Sequence, residues 1–405
     1  ARYDFPGKAL VRALTTVPFV LPSIIVVLGF VRFFGNNGAL NRALMALLGL
    51  EEPPLRVLYS LRAILLAHAF YNFPICVRLI STVWARLRPS TEEAGRSLGA
   101  HGLRLFFRVS LPQLAPAVLS AAALVFLFCF LSFAVVLVLG GGPRYTTLEV
   151  EVYRLVKVSL DLHRASALAL IGALISLFFL YAYIRLQRSS GFAEDLAPAA
   201  ELHRLSELLR RPVGVFFLAY LLLLALVVLA PLLTVAAYSV QERATWSRQV
   251  LSLAWYRRIL DARDVYLPAV LNSLFFGATT VALAVPLGTG LAYVSSRTRL
   301  ARPALLEALL MLPIGVSSIV LGLGYLEAYQ GWPWRLAGTR YAIVLAHAVV
   351  AYPFVIRVAT AMFRKIRPSL VEAARSLGAD PWRVFWKLEL PLVRGALITG
   401  AAFAF

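Results

Sequence analysis

The sequence predicts an all-α protein: a bundle of membrane-crossing helices built as two parallel-related halves. Three observations predict it. The 405 residues are 60% hydrophobic and only 15% charged, with a mean hydropathy of +0.78, which leaves too little polar surface to coat a water-soluble domain of that size. Apolar runs long enough to cross a bilayer recur along the chain. Residues 68–126 align with 347–405 without a gap, and 22 of the 59 pairs are identical, so two parts of the chain share one register.

Taken in order, the apolar runs fall at 13–34, 59–85, 113–139, 164–185, 212–239, 269–296, 305–328 and 341–363, and a ninth begins near 391. Their length and continuity predict helices, because barrel strands alternate with a period of two. The segments between runs carry the charge. All but Lys8, Lys157, Lys365 and Lys387 of the 40 basic residues are Arg, and the net charge is +20. Arg2, Lys8 and Arg12 precede the first run. Arg86, Arg88, Arg96, Arg104 and Arg108 follow the second, and Arg185, Arg188, Arg204, Arg210 and Arg211 the fourth. Arg297, Arg299 and Arg302 follow the sixth, and Arg364, Lys365, Arg367, Arg375, Arg383 and Lys387 the eighth. These are alternate loops, so all of them are expected on the cytoplasmic side. The outside loop 240–268 departs from the rule with five Arg, partly offset by Glu242, Asp261 and Asp264. Basic residues placed this way anchor helices in lipid, and nucleic acid is not an expected partner.

The repeat sets the domain organisation. PFVLPSIIVVLGF (18–30) also lies over PIGVSSIVLGLGY (313–325). Both copies of the polar block 88–106 and 367–385 fall in cytoplasmic loops, so the halves are related about an axis along the membrane normal. We read a first half at 1–186, a polar linker at 187–211 and a second half at 212–405. Completing the repeat calls for about two more spans ahead of residue 1 and parts of two beyond residue 405.

The polar block carries the functional signal. Its copies read RPSTEEAGRSLGAHGLRLF and RPSLVEAARSLGADPWRVF. Each has helix-forming residues behind a proline, then a glycine suited to a left-handed cap. The site residues are Glu93, Ala94, Gly95, Arg96 and Gly99, and Glu372, Ala373, Ala374, Arg375 and Gly378. Small residues let a partner approach, Glu offers an acceptor and Arg a donor fork. The spacing, Glu-Ala-Ala through Gly to Val109-Ser110-Leu111-Pro112 or Leu388-Glu389-Leu390-Pro391, resembles the cytoplasmic loop of the membrane permeases of binding-protein-dependent ABC importers. Gly95 departs from that pattern, which has Ala.

The resemblance implies a permease subunit in the bacterial cytoplasmic membrane. It implies two copies of a cytosolic ATP-binding subunit docked on the two loops, and a soluble extracytoplasmic substrate-binding protein. ATP and its magnesium are expected on the ATPase, with no cofactor, metal or covalent chemistry in this chain. FPGKAL (5–10), LAHAFYNFPICVRL (66–79), CFLSFAVVLVLGGGP (129–143) and TTLEVEVY (146–153) look most like fused permeases of thiamine importers, with ferric-iron permeases next. That likeness makes thiamine or its phosphates the expected solute and ferric iron the alternative.

Pro74 and Pro353 match across the repeat and bend their helices, as fixed kinks or as hinges. Ser132, Gly140, Gly141, Gly142 and Tyr145 mark a turn beside an outside loop and are candidates for the solute path or gate. Tyr145 and Tyr153 offer aromatic faces to a cationic ring, or simply sit at the interface. His68 and His347 also match, and intramembrane His is read as packing before function. Cys76 and Cys129 read as small buried residues. Gly7-Lys8-Ala9 lacks the upstream glycine and the hydroxyl of a phosphate loop, so ATP hydrolysis is assigned to a partner. A polytopic membrane enzyme would need convergent carboxylates or a metal cluster, and a passive channel would not need two docking loops.

Overall fold

A computed structural model describes residues 3–4, 8–85, 87, 89–140, 142–189, 203–204, 212–243, 249–297, 303–331, 333 and 335–405. It is helical nearly throughout. Two small sheets are present, a two-residue parallel pairing of Tyr3–Asp4 with His203–Arg204 and a hairpin of Gln241–Arg243 with Gln249–Leu251. Most of the linker read at 187–211 lies outside the described residues, as does Gly141. Among the described residues, seven helical stretches are long and apolar enough to cross a membrane: Ser23–Leu48, Leu61–Trp84, Gly102–Phe130, Leu162–Leu186, Gly214–Ser239, Arg263–Arg297 and Arg340–Phe363.

Three of the expected runs are not single helices: 113–139 divides into Leu111–Phe130 and Ala134–Leu139, and two others break in matching ways. The run 13–34 breaks into α1 (Lys8–Val20) and α2 (Ser23–Phe34). Pro22 sits at the break in an extended conformation (ψ 136°), since a proline removes a helix donor and disfavours helix at the residue before it. The run 305–328 breaks into a helix at Pro303–Leu310, a tight turn at Leu312–Gly315 and a second helix at Ser318–Tyr329. There Val316 and Ser317 are extended, and the Ser317 hydroxyl accepts the Ile319 N–H at 3.1 Å. The two breaks fall at equivalent positions of the repeat, and each is followed by a 12-residue helix.

The chain forms two compact units, residues 1–165 with 182–258, and 166–181 with 259–405. In the first, α3 (Ala39–Leu48) and α4 (Leu61–Trp84) follow α2. The first polar block comes next as α5 (Pro89–Ser97) and α6 (Gly102–Leu105), leading into α7 (Leu111–Phe130). After α8 (Ala134–Leu139), α9 (Leu148–Arg154) and α10 (Leu162–Ser189), of which residues 166–181 belong to the second unit, comes α11 (Pro212–Ser239). The core joins Val26, Val27 and Phe30 of α2 to Ala63, Ala67 and Phe70 of α4, Val135 and Leu139 of α8 and Val228 of α11. Thus α11, which opens the second half of the sequence, packs on α2. They approach so closely that a Cβ on Gly29 would lie 2.9 Å from the Pro231 carbonyl oxygen, the small-residue packing that membrane helices favour. Asn41, fully buried, ties the outside loop down. Its amide donates to the Gly35 and Leu55 carbonyls and its oxygen accepts the Leu55 N–H, all within 3.0 Å.

The second unit continues with α12 (Ala254–Asp261), whose last three residues lie in it, and α13 (Arg263–Arg297). The broken pair follows as α14 (Pro303–Leu310) and α15 (Ser318–Tyr329), then α16 (Arg340–Phe363), the second polar block as α17 (Pro368–Ser376) and α18 (Pro381–Val384), and α19 (Leu390–Ala404). Gly288 of α13 and Gly400 of α19 both lie against Val355 of α16. Cβ atoms there would stand 2.7 Å from the Val355 Cβ and 3.1 Å from its Cα.

Candidate functional site

The two copies of the polar block fold alike because their sequences specify the same local events. Each short helix begins at a proline and ends at a glycine with positive φ, +81° at Gly99 and +82° at Gly378. The Ala100 N–H reaches back to the Gly95 carbonyl at 3.0 Å, and Ala379 to Ala374 at 3.1 Å, a left-handed cap that turns the chain sharply. A second short helix follows, then a wide π turn at Phe106–Ser110 and at Phe385–Glu389. Pro112 and Pro391 account for the π turns. Neither can donate to the carbonyl four residues back, and the Leu111 and Leu390 N–H groups bond five residues back, to Phe106 and Phe385.

Glu93, Ala94, Arg96 and Gly99 are exposed, as are Glu372, Ala373, Arg375 and Gly378; Gly95 is buried and Ala374 half-buried. Each unit therefore presents one Glu, one Ala and one Arg from a capped helix. Leu98 and Leu377, at equivalent positions beside the cap glycines, are each 88% exposed. Their signal in the sequence is slight: an apolar residue next to a left-handed glycine has no helix face to hide in. Trp382 and Trp386 on the second loop and Leu103 and Phe107 on the first extend this apolar surface.

Beneath the exposed face the two loops are seated differently. In the second, Val371 is buried with Ala292, Phe363, Ile366, Val384 and Val393, burial worth about 1.5–3 kcal/mol for a valine side chain. In the first, the equivalent residue is Glu92, 6% exposed. Its carboxylate accepts the Ser110 hydroxyl at 2.9 Å and lies 3.9 Å from Arg96. Gly95 departs from the resembled pattern for a steric reason. A Cβ there would fall 2.8 Å from Leu105 Cδ1 and 3.1 Å from Val109 Cγ2. The second loop has Ala374 and Val384 where the first has Gly95 and Leu105, so one methylene has changed sides.

The remaining candidates do not converge. Pro74, Pro353 and Gly140 are buried, whereas Ser132 and Tyr145 are half-buried and Gly142 is exposed with φ +112°. Tyr145 has the Arg144 guanidinium 5.6 Å over its ring, and the Tyr153 ring packs on Phe133 at 5.0 Å. His68 Nε2 is buried without a hydrogen-bond partner among the described residues, while its repeat mate His347 is exposed. Asn72, one turn on, donates to the His68 carbonyl at 2.8 Å and to Cys129 Sγ at 3.4 Å. In the outside loop, Glu242 gathers Ser252 and Arg258 at 2.8 and 3.0 Å.

Residues 1–191 and 284–405 match the family described as binding-protein-dependent transport system inner membrane component. The chain belongs to this family. It is a multi-pass permease of the bacterial inner membrane, of the ABC importer class. The permease is 29% identical over 419 residues to the thiamine transport system permease protein ThiP of Salmonella typhimurium and 28% over 418 residues to that of Escherichia coli, covering 100% of this chain and 72% of each relative. It is 25% identical over 408 residues to the ferric transport system permease protein FbpB of Actinobacillus pleuropneumoniae, of which it covers 58%.

Proposed function

We propose that the permease moves thiamine or its phosphates inward by alternating access, driven by two copies of a cytosolic ATP-binding subunit. One copy docks on α5 with Leu98, the other on α17 with Leu377. ATP and magnesium are held and hydrolysed on that partner, and a soluble extracytoplasmic binding protein delivers the solute. The observation that supports thiamine is the likeness to thiamine permeases along the whole chain. The capped, exposed and duplicated loop supports the docking. Ser132 and Tyr145, half-buried beside the Gly140–Gly142 turn, are our candidates for the solute path, with Pro74 and Pro353 as fixed bends.

The likeness to a ferric permease supports ferric iron as the second reading. The test is ATP-dependent uptake of labelled thiamine by the permease in vesicles, with its ATPase and binding protein. We expect uptake that is lost in Glu93→Ala/Glu372→Ala. Uptake of ferric iron but not thiamine, still dependent on both Glu residues, would keep the docking loops and discard the solute.

A further inference from the structure

Next to the second docking loop lies a buried charge that docking itself does not use. Glu389 is 1% exposed and belongs to the π turn that joins the loop to α19. Its carboxylate accepts from the guanidinium of Arg297, the last residue of α13, which keeps 30% of its side chain exposed. One turn earlier on α13, the Tyr293 ring packs at 5.6 Å on Phe363 and at 4.9 Å on Phe385, the first residue of the same π turn. The end of α13 is therefore held to the exit of the docking loop by an ion pair and an aromatic wedge. A buried carboxylate pulled from the cation that pairs with it is left desolvated. The two groups are thus forced to move together.

Among the described residues, the first loop is fastened differently. Ser110 stands where the second copy has Glu389, and the carboxylate sits on the docking helix itself, as Glu92. In the first copy the carboxylate fastens the docking helix to the start of α7. In the second, the docking helix is seated by Val371 and the carboxylate turns to α13.

We propose that Arg297 and Glu389 are positioning residues that make α13 follow the second docking loop, so that the stroke of one ATPase subunit is carried into α13 as well as α19. This rests on the docking reading above. The test uses the full permease with its ATPase and binding protein in vesicles. It measures solute moved per ATP hydrolysed, for whichever solute the unaltered permease carries. Unaltered permease that moves no solute would count against the function proposed above, before any variant is made.

For Glu389→Gln and for Arg297→Met we expect the ATPase subunit to co-purify and hydrolyse ATP, while solute per ATP falls about tenfold, within the range of linkage between coupled sites. The exchange Arg297→Glu/Glu389→Arg restores most of the ratio. Transport and hydrolysis falling together, a ratio that does not change, or an exchange that rescues nothing would each overturn the proposal and leave the pair as a brace of the fold.

Discussion

Asp380 and His101 stand at the same point of the repeat and do different things. The Asp380 carboxylate accepts the Trp382 and Arg383 N–H groups, both at 3.0 Å, and so caps α18. His101 precedes α6 without a side-chain cap. The Arg383 N–H first, then that of Trp382 and the Arg383 charge, hold the Asp380 carboxyl below its ordinary 3.8. A depressed carboxyl stabilises the fold above its ordinary value, and that contribution disappears as pH falls through the depressed one. Asp380→Ala is therefore expected to speed amide exchange at Trp382 and Arg383 at neutral pH. The same change in His101 leaves Leu103 and Arg104 unaffected, and acidification below the carboxylate range abolishes the difference; mass-spectrometric hydrogen exchange reads all three. The cap glycines were legible in the sequence because their cause is local. Glu92 was not, because a glutamate beside a surface helix reads as solvated until Ser110 is brought across to it.

At the scale of an element, the seat of α5 is set by volume. Gly95→Ala presses a methyl onto Leu105 and Val109, and overpacking of this kind costs about 1–3 kcal/mol. We expect a lowered thermal midpoint for the purified permease and reduced uptake. Leu105→Val in the same chain removes the excess, recreates the Ala374–Val384 pairing of the second loop and recovers both readouts; a double variant no better than Gly95→Ala would refute the volume argument. The sequence showed most helices because long apolar runs in lipid have few alternatives. It hid the breaks at Pro22 and at Val316–Ser317, since apolarity runs through both. Pro22 and Pro313 are stop signals, but a lone proline is often carried inside a membrane helix, as Pro74 and Pro353 are here.

For the whole molecule, the repeat was the most informative feature of the sequence, since a gap-free offset places one loop in each half without any structure. What it could not place was α11. Which helix it packs on is settled by Gly29 lying against Pro231, a contact between residues too distant in the chain for any periodicity to show. Each unit offers a partner one nearly bare leucine. Burying such a side chain contributes about 1.5–3 kcal/mol, so Leu98→Asp or Leu377→Asp is expected to weaken ATPase binding by about 10- to 100-fold. Titration of the ATPase subunit against permease in detergent measures it, and binding unchanged in both variants would exclude these leucines from the interface.

The placement of the carboxylate has a genetic consequence. Two similar stretches in one gene invite conversion, in which one copy overwrites the other. A tract that carries the first copy into the second and ends between positions 92 and 110 would set a glutamate at 371 close to Glu389, two carboxylates in an apolar seat. The reverse tract would leave Ser110 facing a valine. Recombinants of either kind are expected to fold worse than their parents.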